Sequence, residues 1–215
     1  PLPIESYLDQ HLHDYFNAEI VGKTIESKQD AIFFISYTFF YRRLTLNPNF
    51  YGLQVVNPET LKEHLSMLIE DTVAALEQAK CVAVEEELYL SPLNLGLIAA
   101  MYSINYGTME VCSHGIKANT KKRGLIEILA NASEFETLPL RHKEDRIIEK
   151  LAAHLPARIT QPDYFSAATK VNVLLQMHLL RRELSVDLEL DQKESIVRMP
   201  ELLHAMVDVT ISNGG

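Results

Sequence analysis

Tryptophan is absent from this chain, and cysteine occurs only twice, at Cys81 and Cys112. With no tryptophan and no paired aromatics near its basic residues, the chain lacks the usual platform for stacking unpaired bases. The cysteines stand far apart, form no CxxC and have no histidine at zinc-finger spacing, so the expectation is a reduced, intracellular protein with no metal site. No GxxxxGK[ST] loop, DExH box or GxGxxG occurs, so no nucleotide pocket can be assembled from known parts; GxSxG and HExxH are missing too. The longest apolar run, Ala31 to Tyr41, is about half of what a bilayer span needs. The first ten residues, PLPIESYLDQ, have neither the basic start nor the apolar run of a signal peptide, and their prolines read as a linker inside a longer chain.

What is present is apolar, helical and unevenly charged. Hydrophobic residues make up 47% of the 215, enough to bury a core in one large domain or two small ones. Net charge is −9, and residues 1–92 carry 6 Lys+Arg against 14 Asp+Glu, while residues 93–215 carry 14 against 15. An acidic first half repels phosphate backbones and does not grip nucleic acid by itself; protein partners or a basic neighbour suit it better.

Helical spacing predicts helices over 5–19, 28–45 and 60–80, the last with Leu61, Leu65, Leu68, Val73 and Leu76 on one face. Two short β-rich runs follow, 81–84 and 88–90, around the acidic turn Glu85 to Glu87, and Pro92 closes them. Three helices and then a hairpin is the order of a winged helix with the glutamates at the wing tip. Beyond Leu93 the pattern is helical only: 93–104, 106–114, 125–132, 141–155, 171–184 and 195–211, with a basic connector over 115–123. Pro200 falls near the first turn of the last of these, where proline is tolerated. The fold class expected is mainly α, a winged helix (1–92) followed by an all-α helical bundle (93–215).

The most telling stretch is NAEIVGKTIESKQDAIFFISYTFFYRRLTLNPNFYGL, residues 17–53. Ser27 with Asp30 three residues on is a cap signal, and Asn47-Pro48 ends the run. Its density of aromatics describes a helix buried on most of its circumference, delivering Tyr41-Arg42-Arg43 and then Phe50-Tyr51 to a neighbouring domain.

Candidate chemistry is sparse. His11 and His13, at i and i+2, point to different sides of a helix and cannot share a metal. His142, Glu144 and Asp145 could serve as acid or base, but at a helix start, beside Arg141, capping and ion pairing account for them better. Arg42 and Arg43 suit an inter-domain salt bridge. Lys117, Lys121, Lys122 and Arg123 are the basic cluster, a solvated connector or a phosphate contact. Arg198, Glu201, His204 and Asp208 recur at spacings of three and four along the last helix, as a solvent face or a channel lining.

Taken together these segments resemble the Ski-two-like superfamily 2 helicases. Residues 17–53 resemble the winged helix that follows the second RecA-like domain in that family. LNLGLIAAMYSINYGTMEV (93–111), LIEILANASEFETLPLRHKED (125–145) and TKVNVLLQMHLLRREL (169–184) resemble its Sec-type homology unit, and PELLHAMVDVTISNGG (200–215) its ratchet helix. HDYFNAEIVGKTIESKQDA, CVAVEEELYLSPLNLG and KANTKKRGLIEILANASEFE look most like the C-terminal cassette of the two-cassette spliceosomal members; the ribosome-rescue branch is the alternative.

The resemblance implies an accessory region without catalytic residues, cofactor or metal of its own, with ATP and Mg held in the parent's RecA-like domains. It implies RecA-like domains of the same polypeptide and splicing factors as partners, RNA contact only within the full helicase, and a place in the nucleus during pre-mRNA splicing and U4/U6 unwinding. Arg198, Glu201, His204, Lys121, Lys122 and Arg123 would face nucleic acid, and Tyr41, Arg42, Arg43, Phe50 and Tyr51 would make the inter-domain contact. Active cassettes tend to carry a basic residue where Glu201 stands, so a carboxylate there implies a regulatory and docking role. Gly215 departs from the family, where an aromatic usually follows Asn-Gly. From the residues alone, an independent winged-helix DNA-binding regulator and a pure protein-interaction module also remain open.

Overall fold

The computed structural model describes residues 8–53 and 57–213, with side chains for all of these except 8–10 and 39–40. The start of the first expected helix (5–7) and Gly215 therefore lie outside the described residues, as do the side chains of Phe39 and Phe40 in the aromatic run. The chain divides into two compact units, Pro1–Met101 and Tyr102–Gly215.

The first unit holds α1 (Leu8–Val21), α2 (Lys28–Ser36), α3 (Phe39–Leu46), a 3-10 turn (Pro48–Tyr51), α4 (Pro58–Gln78), β1 (Val82–Glu85), β2 (Tyr89–Pro92) and most of α5 (Asn94–Tyr102). Leu12, Phe16 and Ile20 recur every four residues on α1 and are all buried, opposite the α4 face of Leu61, Leu65, Ile69, Val73 and Leu76. Burial of each such side chain contributes about 1.5–3 kcal/mol. Leu68, expected on that face, is only half-buried, and Ile69 and Thr72 take the positions beside it. Asn57 caps α4 by accepting from the Thr60 amide at 2.6 Å, and Pro58 occupies its first turn.

The cap at Ser27 is present: its hydroxyl accepts from the Asp30 amide at 3.1 Å, and Asp30 in turn accepts from the Glu26 amide at 3.0 Å. The helix it starts does not run to residue 45. It ends at Ser36, and α3 begins anew at Phe39. At the break, the Ser36 and Thr38 hydroxyls donate to the Ile32 and Ile35 carbonyls, and the Tyr37 and Thr38 amides turn to Phe34 and Ile35 in place of the helical ladder. Nor is the aromatic run buried around its circumference. Ala31 and Ile35 are inside, while Phe33 is 65% and Tyr37 76% exposed, their rings 4.6 Å apart.

β1 and β2 pair antiparallel, Val82 opposite Pro92 and Glu85 opposite Tyr89. The backbone at 26–28 lies along their open edge, with Leu90 N–H donating to Glu26 and Lys28 N–H to Leu88. At the tip, Glu86 and Glu87 both adopt left-handed φ, 50° and 58°, as a type I′ turn requires, although neither is the glycine or asparagine that such a turn favours. Gly96 brings α5 against the foot of this hairpin: a Cβ there would sit 2.2 Å from the Cys81 carbonyl and 2.7 Å from the buried Asn17 amide oxygen. Asn17 donates to the Gly96 carbonyl at 3.0 Å, which ties α1 to the same point.

Among its described residues the second unit has helices and no strand: α6 (Tyr106–Gly115), α7 (Lys122–Ala130), a 3-10 turn (Ser133–Phe135), α8 (Glu144–Ala152), α9 (Ala167–Leu179) and α10 (Val186–Ser212). α9 is its axis, buried at every residue from Thr169 to Met177 and packed against α7, α8 and α10. The basic connector is shorter than expected, since Lys122 and Arg123 already form the first turn of α7.

α10 differs most from its expected form. It runs 27 residues from Val186, so Pro200 sits in its middle instead of its first turn. The early half escapes apolar periodicity because its buried face is polar: Asp191, Gln192 and Ser195 lie inside with Leu188. Pro200 has no N–H to give the Ile196 carbonyl, and it sits on the exposed side of the helix.

Candidate nucleic-acid and docking interface

The position of α10 is set by a buried ionic knot. Lys170 of α9, only 1% exposed, reaches the Asp191 carboxylate at 2.7 Å, the Pro139 carbonyl at 2.5 Å and the Glu144 carboxylate. Arg141 grips Asp191 with both terminal nitrogens and also meets Glu144 at 3.2 Å. The local Arg141–Glu144 pairing expected at this helix start is therefore present, yet it is one edge of a four-residue network that joins the start of α8 to α9 and α10. Burial opposes ionisation of Asp191, but hydrogen bonds from Arg141 and Lys170 outweigh it and hold the carboxyl below its usual range. Asp191 carries no sequence signal of its role, whereas Lys170 carries one, a lysine set among the apolar residues of α9.

Held in this way, α10 presents Arg198, Glu201 and His204 to solvent. His204 lies beside Tyr102, ring centroids 6.1 Å apart, and the Tyr102 hydroxyl donates to Asp208 at 2.7 Å. That hydrogen bond, with some burial, raises the phenol above its ordinary pKa. Thus Asp208 is engaged within the unit and half-buried, whereas the three residues before it in the polar line are exposed.

Lys121, Lys122 and Arg123 are also exposed. Lys122 and Arg123 line an open cavity of about 600 Å³ whose other walls come from the segment after α8 and the end of α9, with no residue of α10. This cavity therefore does not bring the two groups of nucleic-acid candidates together. Arg123 also pairs with Glu127 at 3.3 Å.

In the first unit, Arg42 and Phe50 are exposed, and Tyr41, Arg43 and Tyr51 are half-buried, so none of the five inter-domain candidates is fully enclosed. Phe50 and Tyr51 meet edge-on at 5.0 Å. His11 is exposed and His13 half-buried, and burial lowers the His13 pKa against the opposing pull of Asp14 and Asp71. Among the described residues no group of three or more His, Cys, Asp or Glu is arranged to hold a metal, and no helix is long and apolar enough to cross a membrane.

Comparison with known families bears on what these surfaces serve. Residues 92–215 match the family model of the Sec63 Brl domain. The chain belongs to this family. Residues 5–86 match the model of a winged helix-turn-helix domain, so the hairpin with its edge segment is the wing, and the Sec63 Brl region begins where it ends. The U5 small nuclear ribonucleoprotein 200 kDa helicase of Homo sapiens is 50% identical over 214 residues, covering 100% of this chain and 10% of the relative. The Activating signal cointegrator 1 complex subunit 3-like protein of Dictyostelium discoideum is also 50% identical, covering 99% of the chain and 10% of the relative. A DExH-box ATP-dependent RNA helicase of Arabidopsis thaliana is 45% identical, with 99% and 10% covered. The chain thus spans about a tenth of the length of the curated relatives it matches. The match to Ski-two-like helicases extends across both units.

Proposed function

We propose that this chain is the non-catalytic accessory region of an ATP-dependent spliceosomal RNA helicase. In this reading its winged helix (1–92) and helical bundle (93–215) pack against RecA-like motor domains of the same polypeptide and serve, in the nucleus, as a regulatory and protein-docking platform. The carrying observation is the 50% identity to the human U5 helicase over the whole chain, in a region that joins a winged helix directly to a Sec63 Brl domain. ATP and Mg belong to the motor domains; this chain contributes shape, a channel wall and contact surface.

The exposed carboxylate of Glu201, between Arg198 and His204 on α10, supports a place in the C-terminal, regulatory cassette. A carboxylate at that point repels a phosphate strand. The test is made in the full helicase, with RNA affinity followed against salt and duplex unwinding measured alongside. Glu201→Arg is expected to tighten RNA binding and steepen its salt dependence, and Arg198→Glu to weaken it. If neither substitution, nor charge reversal of Lys121 to Arg123, moves affinity or unwinding, α10 does not line the channel and the chain acts as scaffold alone.

The equal identity to the Dictyostelium cointegrator-complex relative favours a second reading, the same region of a helicase in that complex. Purification of the native parent separates the two: U5 small nuclear RNA in the complex supports the first, and its absence together with cointegrator subunits supports the second.

A further inference from the structure

We propose that the cavity between α7 and the end of α9 docks a short acidic, hydrophobic peptide segment of a partner protein. This deepens the docking-platform reading by giving it a place and a ligand chemistry. Its floor is aliphatic: Ile126 of α7, Pro156 and Ala157 of the segment after α8, and Leu179 and Leu180 at the end of α9. Leu179 is 66% and Leu180 41% exposed, so apolar surface faces water at the rim as well.

The cavity is built rather than incidental. Gln176, buried on α9, donates to the Ala157 carbonyl at 2.8 Å and accepts from the Ala157 amide at 3.1 Å, while Asn172 takes its remaining donor at 2.7 Å. This reciprocal bond fixes the wall that carries Pro156 and Arg158 over α9.

The charged residues that line this floor are basic, and one of the three, Arg123, is already paired with Glu127. Lys122, Arg123 and Arg158 line the cavity, and no carboxylate does. Lys121 precedes Lys122 in the chain, and Arg181 and Arg182 continue directly from Leu180. Among the described residues neither Lys122 nor Arg158 has an ion-pair partner. On a chain of net charge −9, this local reversal selects an anionic ligand. RNA fits the rim but not the floor, because phosphates gain nothing from aliphatic surface and the lining offers no aromatic ring for a base. A peptide that places leucine- or phenylalanine-sized side chains in the trough and carboxylates against the rim satisfies both, and a volume of about 600 Å³ is within the range of ligand pockets.

A random peptide library of about a dozen residues, displayed on phage and panned against the full chain, tests this directly. Enriched sequences are expected to combine acidic residues with Leu, Ile or Phe. Their synthetic peptides should bind the Lys122→Glu/Arg158→Glu chain about tenfold or more weakly. They should bind a Leu179→Ser chain weakly as well, with circular dichroism showing both variants folded. Enrichment of basic or uncharged sequences, no enrichment, or undiminished binding to both variants overturns the proposal. Oligouridine that binds the cavity in a manner sensitive to Lys122 and Arg158, while no acidic peptide does, assigns the site to RNA instead. These readouts are independent of RNA affinity and unwinding by α10 variants, so failure here is distinguishable from failure of the helicase reading.

Discussion

Replacing Lys170 by methionine should unfold the second unit at markedly lower temperature. The substitution keeps the shape of the side chain and removes a charge that is 1% exposed and is shared between Asp191, Glu144 and the Pro139 carbonyl. Two carboxylates, with side chains 5% and 7% exposed, would then share one guanidinium, and the buried group would change from neutral to net −1. Removing one partner of a buried ionic group costs about 3–5 kcal/mol, a large part of the 5–15 kcal/mol typical of a domain. For a unit of this size the midpoint should drop by about 10 °C or more. The second substitution Glu144→Leu restores neutrality, leaving the two-pronged Arg141–Asp191 pair, and should recover more than about half of the loss. Calorimetry and far-ultraviolet circular dichroism are the suitable assays, since the chain has no tryptophan to report its unfolding. Hydrogen exchange should place the loosening in α8, α9 and α10. The pH dependence follows from Asp191: with its folded pKa depressed, its contribution is complete above the unfolded value of about 3.9 and is lost as pH falls through the folded one. Asp191→Asn should flatten stability below about pH 4. A loss under about 1 kcal/mol for Lys170→Met, or a double variant less stable than the single, would refute the claim that this network is held by charge balance.

Three further outcomes are expected. Gly96→Ala should destabilise the first unit by about 3 kcal/mol or more in thermal melts, because backbone at the Cys81 carbonyl, 2.2 Å from the new Cβ, cannot swing aside as a side chain can. Glu86→Asn with Glu87→Gly should stabilise the same unit by about 1 kcal/mol by relieving two left-handed residues at the wing tip, read from the shift in urea midpoint. Cys112 is buried, and burial together with Glu134 pushes its thiol up to about 12, so neither it nor fully buried Cys81 should react with iodoacetamide in the folded chain at pH 8. Mass spectrometry should find both alkylated only after unfolding, and rapid labelling of the native chain would contradict this packing.

The first unit was legible in the sequence largely because its local signals agree with its packing. Ser27 with Asp30, the apolar face of α4 and the β-rich runs around Glu85 to Glu87 each act over a few residues. The cap formed, the α4 face formed with Leu68 left half-buried, and the hairpin formed with its strands one or two residues later and Glu85 inside β1. Between 28 and 45 the apolar pattern runs on without interruption while the backbone breaks after Ser36, a break that periodicity does not mark. In the second unit the long-range partners are polar, and periodicity is blind to them. Asp191, Gln192 and Ser195 look like a solvent face until α9 supplies Lys170 and the Leu174 carbonyl that accepts from Gln192 at 2.9 Å. The candidate site divides in the same way: exposed charges such as Arg198, Lys122 and Arg123 could be named from spacing, whereas the residues that aim them could not.

Those aiming residues lie on one helix. Along α9, Lys170 fixes the start of α8 and the inner face of α10, the Leu174 carbonyl receives Gln192 a turn later, and Gln176 clamps the wall of the aliphatic cavity. Burial at every position from Thr169 to Met177 leaves none of these side chains an alternative partner in water, so each contact must form if the helix is to be buried at all. The α10 surface and the peptide-sized cavity are therefore indexed to the same rigid element, although they share no lining residue. A disturbance that loosens α9 should degrade both surfaces together. A disturbance confined to Arg198 or Arg158 should degrade only one, and that difference separates damage to the scaffold from damage to a contact.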